Sequence, residues 1–270
     1  MMMIATIFML AQAAALAQAS QAQSITPDDQ QIQLSGSIGI ILHALDQAAS
    51  ISTDALLKKM DRAELAGLGG YVVERVPPMG FRVTYFRGKG ADARAFYVAD
   101  VRDGKVVHDE LLSAAVPLTA RQAELAAARD KAAQAAIANG YKPCTASPFN
   151  SVVIPSATGS IAVYLLTAQT TRASYPMGGH FRFVIDPEGK VISHRPFSAS
   201  CLNLDLSQMP KGGKAVGLMT SNRLDTVPTE IYVFASYALR LPLYVATKDQ
   251  RLWKVTGRTI ELQRSGSTAP

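Results

Sequence analysis

The sequence predicts an α+β protein, with an N-terminal helix and antiparallel-strand unit followed by a mixed α/β domain. Two observations lead there. Apolar residues recur at helical spacing early in the chain and then give way to short alternating strands separated by Gly-containing turns. In the second half, apolar strand-like runs alternate with a segment that suits either a strand or a helix. At 270 residues with 48% hydrophobic content, the chain can bury one large or two modest cores.

In chain order, Ile38, Ile41, Leu42 and Leu45 follow a polar linker and share one helix face, which is expected to end near Ser50. A second helix is expected from an N-cap at Ser52 or Thr53. Leu56, Met60 and Ala63 share its inner face, and Gly67 holds a C-cap position. A meander of four strands follows at 71–76, 81–87, 95–101 and 106–111, with turns at Gly88-Lys89-Gly90 and Asp103-Gly104. Thr119 and Gln122 form a capping-box pair that opens an Ala-rich helix running to Asn139-Gly140. These elements make up a unit at 35–140.

Residues 141–150 read as a linker, and a second unit spans 148–264. Strands are expected at 151–154 and 161–168, then a break at 176–179. A hairpin at 180–196 turns on Asp186-Pro187-Glu188-Gly189, the residue order of a type I turn with Gly at the bulge position. Residues 198–213 read as loop, 215–219 as a short buried strand, and 229–239 as open between strand and helix. Short strands are expected at 243–247, 251–255 and 258–262.

The first 24 residues carry no charge: an apolar MMMIATIFML precedes a run of small residues suited to signal-peptidase cleavage. Residues 1–24 are therefore expected to be a signal peptide and the mature protein to be periplasmic or secreted, without a transmembrane span. Against this, the leader lacks the usual Lys or Arg, and the first basic residue is Lys58. Gln12 and Gln18 interrupt the uniform run that a membrane anchor needs. Cys144 and Cys201 suit a disulfide in an exported chain; two inert thiols or a nucleophile are the alternatives, and neither cysteine has C-x-x-C spacing.

The net charge of +6 is unevenly placed. Residues 25–144 hold 14 basic and 14 acidic side chains, whereas residues 145–270 hold 13 basic and 7 acidic. An excess confined to one half points to an anionic partner such as an acidic envelope component, or to solvated surface. No nucleic-acid motif accompanies it.

Gly217, Pro228, Leu241, Pro242, Tyr244, Val245 and Thr247 follow the spacing of a known active-site segment. In that segment a buried strand ending G-x-x-H-[ST]-H-P leads to P-S-x-x-D, a helix and a short LPxYVxT strand. The stretch 148–264 thereby resembles the core of JAMM (MPN-type) metalloproteases. The resemblance implies metal ligands where this chain has Thr220, Asn222 and Tyr232, a serine where it has Thr229, and a general-base Glu near Pro176 and Met177, just before Gly178-Gly179. It thus implies a degenerate, pseudoenzyme-like domain with no metal and no cofactor.

The remaining candidates for chemistry are sparse. Only His43, His108, His180 and His194 exist, none in H-x-H or H-E-x-x-H spacing. If the Asp186 hairpin has a three-residue loop, residue 182 lies opposite 194, and His180 sits diagonally on the same face with Arg182 between the two histidines. His180, His194 and Thr220 are the weak catalytic candidates. Ser200-Cys201 and Thr220-Ser221 lack the base and orienting group of a triad. Asp225 and Glu230 form the nearest carboxylate pair, with turn and cap roles as the plainer reading. Lys211, Lys214, Asn222 and Arg223 are the binding candidates, the three cations being able to hold an anion. The sequence favours a non-catalytic envelope protein with a binding or scaffolding role; the alternatives are a divergent, peptidase-like hydrolase or a toxin-like secreted factor.

Overall fold

The computed structural model describes residues 25–61, 63–207 and 216–264, so the expected signal peptide and both Lys211 and Lys214 lie outside the described residues. The fold is α+β. Helix α1 (Pro27–Leu56) is one helix where the sequence suggests two. It begins at a capping box: the Thr26 hydroxyl accepts from the Asp29 N–H at 3.1 Å, and the Asp29 carboxylate accepts from the Thr26 N–H at 3.1 Å. It runs on through Ser52 and Thr53 because neither caps a new helix. Both hydroxyls donate back to the Ala49 carbonyl, at 2.9 and 2.7 Å, and meet the Tyr85 hydroxyl at 2.8 and 2.7 Å. Satisfied in this way, a mid-helix hydroxyl has no call on the backbone N–H groups ahead of it. Residues 57–60 and 63–67 form turns and a bend in place of the second helix, and the turns end at Gly67, where φ is +81°.

The expected meander is present as β1 (Leu68–Val76), β2 (Gly80–Arg87), β3 (Arg94–Arg102) and β4 (Lys105–Pro117), all antiparallel. Val83, Tyr85, Tyr97, Ala99 and Val101 pack one face against Ala48 and Leu56 of α1. The other face offers Val72 and Phe86 to α2 (Ala120–Ala138), which starts at the expected Thr119 and Gln122 capping box. The small side chains Ala128, Ala132 and Ala136 let α2 lie close to a second sheet as well, where Val163, Phe181 and Phe183 meet it.

That second sheet contains β5 (Asn150–Pro155) and β6 (Ile161–Leu166). A short strand β7 (Ser174–Pro176) leaves it, β8 (Phe181–Ile185) and β9 (Val191–Pro196) complete the order β5-β6-β8-β9, and β10 (Asn203–Asp205) returns to pair with β7. The Cys144–Cys201 disulfide, with Cα atoms 5.4 Å apart, joins the segment after α2 to the loop after β9.

The chain ends in a third sheet, β11 (Leu218–Asn222), β12 (Leu243–Thr247), β13 (Leu252–Thr256) and β14 (Thr259–Leu262). β11 and β12 are parallel, and a parallel pair needs a crossover. Segment 229–239, open from sequence, is accordingly a helix, α3 (Glu230–Leu239). Gly39 is where α1 crosses it: a Cβ there would collide with the Val233 side chain and sit 2.9 Å from the Glu230 carbonyl oxygen. α1 and α3 also join the second sheet in one core, in which Leu42 and Leu45 meet Tyr164, Phe197, Ile231 and Phe234. Apolar packing therefore runs from the N-terminal elements into the C-terminal ones. No helix among the described residues is long and apolar enough to cross a membrane.

On α1, burial raises the Asp46 carboxyl from 3.8 to about 6. Asp46 in turn adds to the burial that holds Tyr71 and Tyr175 protonated. A carboxyl whose folded value exceeds its unfolded value binds more protons when folded, so it contributes stability at acid pH that is lost as pH rises from about 4 to about 6. About two pKa units correspond to about 3 kcal/mol, and residual solvent contact reduces this to about 1–2 kcal/mol. Asp46→Asn is therefore expected to gain stability over wild type at pH 7 but little at pH 4, as read from urea melts at each pH. An equal difference at both values would show that the charge is not the cause.

Candidate functional site

β11 and β12 end side by side, with Asn222 paired to Thr247, and the chain then loops through residues 223–229 into α3. Facing this loop is a row of side chains on the second sheet. Tyr164, Arg182 and Arg195 are successive cross-strand partners on β6, β8 and β9, so all three leave the same face. The Tyr164 hydroxyl donates to Glu230 Oε1 at 2.8 Å, and Arg182 Nη1 donates to the same oxygen at 3.1 Å. Arg195 Nη2 donates to both Asp225 oxygens, at 3.1 and 2.8 Å.

Each carboxylate thus has its own arginine. Glu230 is the first residue of α3 and only 3% exposed; its negative charge also lies at the positive end of the helix dipole. Burial, then the Glu230 charge, pushes the Tyr164 hydroxyl far above its ordinary value and keeps it a donor. Asp225 is held from three sides. Besides Arg195, Asn222 Nδ2 donates to its carboxylate at 3.3 Å, and Asn222 Oδ1 accepts from the Leu224 and Asp225 N–H groups at 3.0 and 3.1 Å. The Lys248 N–H donates to the Asp225 carbonyl at 3.2 Å. The Tyr232 hydroxyl donates to the Ser221 carbonyl at 3.1 Å and is kept protonated by burial first and the Asp225 charge second. Thr220 and Thr229 lie close by in sequence, each with its Oγ1 buried and without a partner among the described residues.

Of the positions that the resemblance singles out, Asn222 and Tyr232 both gather at the Asp225 loop, and Thr220 shares the inward face of β11 with Asn222. Asn222 is 1% exposed and its amide is spent within the turn, so it shapes the loop instead of reaching a ligand. Arg223 is exposed at the strand end, next to the exposed Lys248.

His180 and His194 do not come together, which corrects the hairpin register inferred from sequence. The three-residue loop is present, since the Asp186 N–H reaches the Lys190 carbonyl at 3.0 Å. Ile185 then pairs with Val191 but Val184 pairs with Ser193, so a bulge takes up Ile192 and shifts every later pair by one. His194 therefore lies opposite Phe183, on the α2 face, with Nδ1 3.0 Å from the Tyr141 hydroxyl. His180 points the other way. Its Nδ1 accepts from the Thr167 N–H at 3.1 Å, its Nε2 lies 3.0 Å from the Pro176 carbonyl, and burial lowers it to about 4, so it is a neutral core histidine. The same bulge puts Arg182 opposite Arg195, on the face away from His194.

The residues at hand do not fit a zinc ion. Positions 220, 222 and 232 offer a hydroxyl, an amide and a protonated phenol, where zinc takes imidazole, thiolate or carboxylate. Among the described residues no three His, Cys, Asp or Glu side chains converge. The nearby Asp225 has both oxygens on Arg195, whose fixed charge repels a divalent cation. Where a general base would stand, Pro176 spends its carbonyl on His180, and Met177 is buried against Tyr232 and Trp253.

Tyr164 and Arg195 drew no attention from sequence, because their partners lie 66 and 30 residues further along the chain. Only the alternation along β6 and along β9 could have hinted at them. Compared with protein-family models, with curated proteins and with solved structures, the chain matches none.

Proposed function

We propose that this is a non-catalytic, exported envelope protein whose C-terminal half binds an acidic, phosphate-bearing component. The observation that carries the reading is the Arg195–Asp225 pair, closed by Asn222: the resemblance would call for a metal at this loop, and the loop carboxylate is instead committed to a guanidinium. The β11-α3-β12 crossover, with the loop at the strand ends, supports the resemblance to that core. The disulfide and the uncharged leader support export. The 13 to 7 excess of basic over acidic residues after position 144 supports an anionic ligand. Arg223 and Lys248 stand exposed at the ends of the parallel strands, a common place for ligands in α/β sheets.

The protein is expected to float with vesicles containing phosphatidylglycerol, or to bind lipopolysaccharide, at low salt and to be released as salt rises, since screening acts over about 8 Å at physiological ionic strength. Alanine at Lys211, Lys214, Arg223 and Lys248 together should weaken binding about tenfold or more, and the exposed Arg223 and Lys248 should each contribute only about 0.5 kcal/mol to any change in stability. Equal binding by wild type and variant, or no binding at low salt, would leave the basic edge as solvated surface.

A further inference from the structure

A cleft of about 710 Å³ opens between the second half of α1, the β1–β2 turn and the β3–β4 turn, and shares no residue with the Asp225 loop. Its volume lies within the range of small-molecule sites, which are concave and mostly apolar with a few polar groups. Ala44, Ala48, Ile51, Val76, Phe81 and Val101 give it apolar walls. Met79, 81% exposed, stands at the mouth and supplies an adaptable apolar contact.

Two of its polar groups lack partners among the described residues. Arg75 lines both a neighbouring cleft and this one, and its guanidinium makes no ion pair or hydrogen bond among the described residues. His43 also lines it, with its ring stacked on Tyr237 at 5.3 Å and its Nδ1 buried without a partner. Burial first, and the charge of nearby Arg240 second, keep His43 neutral. Asp103, exposed in the β3–β4 turn, is the one acidic lining residue.

We propose that this cleft binds a single-chain amphiphile with an anionic head, of the fatty-acid class, its acyl chain on the Ala44, Ala48 and Phe81 wall and its carboxylate on Arg75. A neutral apolar ligand would leave the buried His43 Nδ1 unpaired, which is unfavourable, and would make no use of the Arg75 charge. A cationic amphiphile would face Arg75 and Arg240 against the single Asp103. A wholly polar anion would forgo the apolar walls.

The test is calorimetric titration of the full mature chain with dodecanoate below its micellar concentration, with dodecanol and dodecyltrimethylammonium as parallel arms. Dodecanoate is expected to bind saturably at one site and more tightly than the other two. Arg75→Ala, an exposed change, should weaken dodecanoate about tenfold and leave dodecanol unchanged, and Ala44→Phe, which fills the cleft from a half-buried position, should abolish both. Thermal melts establish that each variant is folded, and Arg75→Ala alone decides the matter if Ala44→Phe is not. Absence of saturable dodecanoate binding, equal binding of the ammonium amphiphile, or indifference to Arg75→Ala would overturn the proposal.

Discussion

Arg182→Met is expected to destabilise the protein by about 3 kcal/mol, the lower end of what removing one partner from a buried ion pair costs. The expected loss is large because Glu230 is only 3% exposed and would keep the Tyr164 hydroxyl alone to offset its charge. It stays at the lower end because the Arg182 side chain is 29% exposed, which lets water take part of the load. Glu230→Gln in the Arg182→Met background should recover part of the loss, since the double variant has no uncompensated charge. Arg195→Met, which breaks a pair with side chains 32% and 23% exposed, should cost less, about 1 kcal/mol. Urea melts of the four proteins give the comparison. A cost for Arg182→Met no greater than that for Arg195→Met, with no relief from Glu230→Gln, would mean that the Glu230 charge is not held as the geometry indicates.

Breaking the Cys144–Cys201 disulfide is expected to cost about 4 kcal/mol. The cysteines are 57 residues apart, and the entropy lost from the unfolded chain on closing a loop of that length corresponds to this amount. The loop encloses all of β5 to β9, so the cross-link restrains the sheet that carries Tyr164, Arg182 and Arg195. Cys201 is exposed, which gives reductant access. Native protein should show no free thiol, and its urea midpoint should fall on reduction and in the Cys144→Ala, Cys201→Ala double variant alike. Superimposable melts with and without reductant would remove the disulfide from the stability of the fold.

Much of the architecture was legible because it rests on local rules. Thr119 with Gln122 opens α2, Asp103-Gly104 turns β3 into β4, and the alternation of Phe81, Val83 and Tyr85 marks β2. The break expected at Ser50 to Thr53 is absent because Tyr85, more than 30 residues away, takes up the hydroxyls that would otherwise compete with the helix. β11 lies three residues beyond the segment expected from its apolar run, because the residues it buries at its end are Thr220 and Asn222. The site was half legible. Positions 222 and 232 do meet at one loop, but the arginine that closes it could be found only by knowing that Ile192 bulges. One extra residue in a strand reverses the faces of all that follow, and the sequence around Ile192 carries no mark of it.

Zinc analysis of the purified, full-length mature protein bears most directly on the non-catalytic reading. With Asp225 committed to Arg195 and Asn222, and with Thr220 and Tyr232 as the other groups at the strand end, protein incubated with zinc and then desalted should retain far less than one equivalent. Its melt should be the same with and without a chelator. About one equivalent of retained zinc, lost on chelation together with stability and absent from Asp225→Ala, would contradict the reading and place a metal centre where the structure has an ion pair.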